Sequence, residues 1–193
     1  MNASLDLPGF ADPVADAQAT FRAVLDAMAR PGTVHRVGEQ LAVPAPLDQA
    51  TAAVLLTLVD NETPLWLDPA ASPARDWLAF HCGAAMVEAS DTARFAVALS
   101  SPDLTRFSAG SHEAPEDSTT LILQARALGR GTRYRLAGPG LREPALLSVG
   151  GLPSRFIAQW QQNHALFPRG VDIILCAGTT LTALPRSVAV EEG

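Results

Sequence analysis

The run Val171-Asp172-Ile173-Ile174-Leu175-Cys176, entered through Gly170, constrains the fold more than any other segment. Five of its six side chains are apolar and they do not alternate with polar ones, which is how a strand covered on both faces reads. A sheet containing such a strand needs one layer of structure above it and another below. Thr119 to Gln124 reads as a second buried strand. Segments with helical spacing precede and separate these runs, so the chain is expected to form an α/β domain, a mixed sheet between helical layers. Residues 1–193 fit a single domain, because a chain of this length encloses one sizeable core.

The first helix is expected to start at Asp12-Pro13, a capping acid followed by proline at the first helical position, and to end at Pro31-Gly32. The spacing groups Phe21, Val24, Leu25 and Met28 on one face and sets Asp26 four residues before Arg30. A short strand follows at Thr33 to Val37, and Asp48 to Val59 is apolar enough to be a buried helix. Pro64 to Leu67 reads as a strand, and a helix from Ser72-Pro73 carries Trp77, Phe80 and His81 up to a break at Gly83. Further strands are expected at Ala85 to Val87 and Phe95 to Leu99, followed by a polar loop from Ser108 to Ser118. Arg133 to Leu136 and Ala145 to Val149 form a hairpin around Gly138-Pro139-Gly140. Ser154 to His164 is a helix with Phe156, Ile157, Trp160 and His164 on one side, and only Met1 to Pro8 and Glu191 to Gly193 look loose.

Fourteen basic against twenty acidic side chains give a net charge of −6, which disfavours nucleic acid as a partner, since phosphate-backbone binding needs a basic excess. All the basic residues are Arg. Without lysine the chain can form no Schiff base with pyridoxal phosphate or a carbonyl substrate, and no P-loop. No cofactor is therefore expected, and any contact with phosphate or phosphonate must use Arg or backbone N–H groups. Cys82 and Cys176 lie too far apart for a zinc ribbon or a dithiol motif, and His35, His81, His112 and His164 have no helical partner for a metal. With no signal sequence and no membrane-length apolar run, a soluble cytoplasmic protein is expected.

The pairs Gly129-Arg130-Gly131 and Gly138-Pro139-Gly140 lack the third glycine and the following helix of a dinucleotide site, and read as turns. No serine sits in a nucleophile elbow. Asp60 and Glu62, in a polar knot between the buried helix and a strand, are the candidate catalytic pair: they could do acid/base work or hold a cation. Alternatively, Asp60 and Asn61 cap the helix and build the turn. Arg169 and Asp172 flank the expected central strand and either pair with each other or, through Arg169, bind an anion. Arg186, after Pro185, is open to the same two uses.

Several of these segments, in this order, resemble the PhnH family of the bacterial carbon-phosphorus lyase system. The matching blocks are Phe21-Arg22 through Met28, Leu56 through Leu67, Phe80-His81, Pro115-Glu116, Thr120 through Gln124, Leu136 through Gly140, Phe167 through Leu175, and Leu184-Pro185-Arg186. Where the family commonly follows Pro-Arg with two threonines, this chain has Ser187-Val188. The resemblance implies an α/β/α sandwich similar to the large domain of pyridoxal-phosphate-dependent transferases, without the cofactor. It further implies a homodimer that assembles with PhnG, PhnI and PhnJ and takes part in making ribose 1-phosphonate 5-triphosphate from ATP and an alkylphosphonate. In that setting the chain is expected to be mainly an assembly subunit, inactive alone. The alternative is a catalytic or substrate-binding subunit whose anion site uses Asp60, Glu62, Arg169, Asp172 and Arg186.

Overall fold

The computed structural model describes residues 6–193. Helix α1 (Pro13–Ala29) begins where the capping chemistry places it, with Asp12 Oδ1 accepting from the N–H groups of Val14 and Ala15 at 3.2 and 3.0 Å. Strand β1 (His35–Arg36), helix α2 (Gln49–Leu58) and strand β2 (Leu65–Leu67) follow. A 3₁₀ turn over Pro69–Ala74 leads into α3 (Arg75–Cys82), which Gly83 ends in the left-handed conformation. Next come β3 (Met86–Val87), β4 (Phe95–Ala98), β5 (Thr120–Gln124), β6 (Ala127–Ala137) and β7 (Ala145–Gly150). Helix α4 (Phe156–His164) and strands β8 (Asp172–Ala177), β9 (Thr180–Leu184) and β10 (Ala189–Glu192) complete the order.

Seven strands form a mixed sheet in the order β1-β9-β8-β5-β4-β2-β3. From β3 to β8 the neighbours are parallel, and β9 and β1 add antiparallel partners at one side. The uniformly apolar run of β8 is explained by this position. Ile174 and Cys176 enter one core with Leu55 and Trp77, while Ile173 and Leu175 enter the other with Phe156 and Trp160. The sheet is thus covered on both faces, by α1, α2 and α3 on the first.

The second cover differs from the expected helical layer. It consists of α4 together with a separate antiparallel sheet, β10-β6-β7. Tyr134 and Leu136 of β6 face inward and Arg133 and Arg135 outward, so alternation gives this small sheet an apolar side that substitutes for a helix. Trp160 is fully buried in this layer and donates its Nε1–H to the Val188 carbonyl at 2.8 Å.

Three further expectations are corrected. The face of α1 that packs inward is Thr20, Val24 and Ala27, whose small side chains let the helix lie close, while Phe21 and Leu25 stand 50% and 57% exposed. Phe80 of α3 is also exposed, although Trp77 is buried. Of the ends expected to be loose, Met1 to Leu5 lie outside the described residues. Leu7 accepts hydrogen bonds from Trp77 Nε1 and His81 Nε2 at 3.0 and 3.1 Å, and Glu191 and Glu192 belong to β10.

Candidate functional site

The parallel strands give the sheet two chemically distinct edges. The side chains singled out in the sequence all lie at the amino-terminal one, because Asp60 and Glu62 precede β2 while Arg169 and Asp172 stand at the entry to β8.

Asp60 is consumed by its own turn. Its Oδ1 accepts from the Glu62 N–H at 2.9 Å and the Thr63 hydroxyl at 3.0 Å, while its N–H donates to Thr63 Oγ1 at 2.8 Å. The Glu62 amide, followed by the Thr63 hydroxyl, holds the carboxyl below its ordinary range, so it carries no proton to donate near neutrality. Glu62 borders an open cleft of about 430 Å³ shared with Asp91, Arg94 and Asp117. Arg94 and Asp117 pair there at 2.8 Å on the surface; Arg94 carries no mark in the sequence, and Asp117 only that of the polar run Glu116 to Thr120 that enters a strand.

Asp172 pairs with Arg186 rather than with Arg169. Arg186 Nη2 donates to Oδ2 at 2.6 Å, Nε reaches both oxygens at 3.1 and 3.2 Å, and the Arg186 backbone N–H adds a bond to Oδ1 at 2.7 Å. The remaining Nη1 donates to the Pro115 carbonyl at 2.6 Å. Both side chains are about 15% exposed, and the guanidinium is divided among protein acceptors. The pair therefore clamps the start of β8 to the segment after β9 and to the 108–118 loop, and leaves no fork for a ligand. Arg169 stands apart, half-buried, with its Nε shielded and unpartnered among the described residues.

Three of the four histidines sit at hydrogen-bonding stations. His35 contacts Thr33 and Asp26, His81 the Leu7 carbonyl, and His164 Nδ1 the Arg186 carbonyl at 2.9 Å. No three His, Cys, Asp or Glu side chains come together to hold a metal among the described residues. Burial pushes the Cys82 and Cys176 thiols up to about 12, far from the thiolate a nucleophile needs. No described helix is long and apolar enough to cross a membrane.

The carboxyl-terminal edge holds polar groups that the sequence did not single out. Gln124, at the end of β5, accepts from the Asp48 N–H and Thr51 hydroxyl at 2.7 and 2.9 Å and donates to the Pro46 carbonyl at 2.9 Å. It thereby fixes the start of α2 to the sheet. Asp48 Oδ2 accepts from the Gly178 N–H at 2.8 Å, closing the β8–β9 turn onto the same place. The signal that could have found this edge is topological: in open α/β sheets, ligand crevices lie beyond the carboxyl ends of parallel strands.

The model of the family described as "Bacterial phosphonate metabolism protein (PhnH)" matches residues 8–191. The alpha-D-ribose 1-methylphosphonate 5-triphosphate synthase subunit PhnH of Rhizobium meliloti (strain 1021) is 42% identical over 187 residues, covering 94% of each chain. HtxG of Stutzerimonas stutzeri, which carries a C-P lyase subunit name, is 32% identical over 180 residues, covering 90% of this chain and 85% of its own. With the match running almost from end to end, the chain belongs to the PhnH family of bacterial phosphonate metabolism proteins.

Proposed function

We propose that this protein is a subunit of the carbon-phosphorus lyase core complex and that its main contribution to making ribose 1-phosphonate 5-triphosphate is assembly. It pairs with a second copy of itself, joins PhnG, PhnI and PhnJ in the cytoplasm, and is inactive alone. Its sheet and helices would correspond to the large domain of pyridoxal-phosphate-dependent transferases, with no cofactor. The names carried by its relatives support the complex. The observation that carries the assembly role is the outer stripe of α1. Val14, Phe21 and Leu25 fall within one narrow sector of the helix and are 68%, 50% and 57% exposed. Meanwhile Asp60, Asp172 and Arg186 are committed to internal bonds.

The test is the native mass of the chain alone and of the complex co-expressed with PhnG, PhnI and PhnJ. The wild-type chain should run as a dimer and co-elute with the three partners at fixed stoichiometry. The double variant Phe21→Arg/Leu25→Arg should run as a folded monomer with an unchanged circular dichroism spectrum, since neither side chain is buried in the core. A wild type that ignores its partners would overturn the complex, and a variant that still dimerises would remove α1 from the interface.

A further inference from the structure

Among the described residues, β7 is the one sheet edge that neither shortness nor charge blunts. The seven-stranded sheet ends in β1 and β3, of two residues each, and the small sheet ends on its other side in β10, which carries Glu191 and Glu192. Short length and charge are how proteins keep such edges from pairing with other chains. β7 reads Ala-Leu-Leu-Ser-Val-Gly over six residues, with no charge and no proline inside it. The direction of its hydrogen bonds follows from its neighbours. The Gly193 N–H donates to the Arg133 carbonyl at 3.1 Å, so Arg133 and, two residues on, Arg135 turn their main-chain groups toward β10. Tyr134 and Leu136 therefore turn theirs toward β7, onto Leu147 and Ala145. The N–H and C=O groups of Leu146 and Ser148 are left pointing away from β6, and no described residue bonds them.

The side chains around this edge define the strand that fits it. Leu147 and Val149 face the second core, while Leu146 stands 60% exposed on the outer side opposite Arg135, with Ser148 opposite Arg133. Residues 126–150 carry five arginines and one carboxylate, Glu143, in a protein whose net charge is −6. Arg130, Arg133 and Arg142 are exposed and make no ion pair among the described residues. A strand added beside β7 lies about 10 Å from β6, two strand spacings, so these charges act on it within about a Debye length. Two copies joined β7 to β7 would instead set two such basic faces edge to edge, which like-charge repulsion opposes. We infer that the open edge of β7 takes up an extended strand of a different chain, with apolar side chains beside Leu147 and Val149 and carboxylates at the alternate, outward positions. The main-chain groups of Leu146 and Ser148 supply the hydrogen bonds, and the arginines select the charge. The inference rests on the complex proposed above, in which that chain is another subunit, and it sets this contact on the cover of the sheet opposite α1.

Hydrogen–deuterium exchange, resolved to single amides by mass spectrometry, tests this on the full chain alone and co-expressed with PhnG, PhnI and PhnJ. Alone, the Leu146 and Ser148 amides should exchange as freely as in an unstructured segment, while the Leu147 amide, turned toward β6, is protected. In the complex the Leu146 and Ser148 amides should slow about ten-fold or more. Ser148→Pro removes an outward N–H and no bond to β6. The isolated variant should therefore keep its circular dichroism spectrum, while its recovery with the partners falls about five-fold or more. Arg133→Glu should lower recovery at low salt and less so at high salt. A complex in which Leu146 and Ser148 exchange as fast as in the free chain, or one that Ser148→Pro joins as well as wild type, overturns the edge and leaves the assembly role standing. Protection of both amides already in the isolated chain, lost in Ser148→Pro, overturns it in favour of a second copy. A wild-type chain that native mass shows ignoring its partners overturns both readings together.

Discussion

Replacing Asp172 with Ala should lower stability by about 3–5 kcal/mol, because the Arg186 guanidinium is then left shielded without its counter-charge. Four hydrogen bonds between the two residues are lost at once. In a chain of this length such a loss corresponds to a melting temperature lower by about 10 °C or more. The double variant Asp172→Leu/Arg186→Met should recover much of the deficit, since it removes both charges together. Urea unfolding of the two variants checks this. A single variant less than about 1 kcal/mol destabilised would show that the pair is not a structural clamp and would return Arg186 to the list of ligand-binding candidates.

Gly140→Ala should be the most damaging of the glycine substitutions on the hairpin turn. Gly140 has φ +83°, and a Cβ placed on it would stand 2.2 Å from the Ala29 carbonyl oxygen at the end of α1. That contact is with backbone, so relief requires the β6–β7 turn to lift away from the helix. The expected cost is about 2–4 kcal/mol, combining left-handed strain with the lost approach. Gly129 is the control: its φ is +79°, but nothing lies within 4 Å of an added Cβ. Gly129→Ala should therefore cost only about 1 kcal/mol. Parallel thermal unfolding measures both, and equal losses would show that backbone strain alone, not the close approach to α1, dictates glycine at Gly140.

The elements that sequence reasoning placed well were those with local causes. The Asp12-Pro13 start of α1, the apolar run of α2 and the Gly83 stop of α3 are fixed by neighbours in the chain. What it missed depends on distant partners. In β10 one residue of four is buried, so its pattern carries no strand signal until β6 is beside it. The face of α1 was misjudged because hydropathy marks Phe21 and Leu25 as inward, whereas close packing on β9 and α2 favours Thr20, Val24 and Ala27. The candidate site shows the same division. Asp60 as a turn former was readable from Asp60-Asn61-Glu62-Thr63 alone. That Asp172 takes Arg186 rather than Arg169 could not be, since only the β8–β9 pairing brings them together.

The way β5 and β8 meet also sets the tempo of folding. They are adjacent in the sheet, yet 47 residues lie between Gln124 and Asp172, including β6, β7 and α4. Closing that excursion costs about 3 kcal/mol of chain entropy before the first β5–β8 hydrogen bond repays any of it. The β6–β7 hairpin, by contrast, needs only a short turn and can form within microseconds. The molecule is thus expected to acquire its flanking hairpin early and β8 late, with refolding in milliseconds to seconds when followed by stopped-flow tryptophan fluorescence. Until β8 docks, the apolar faces of β5 and of the hairpin stay open to water, and a neighbouring chain in the same state is the nearest alternative cover.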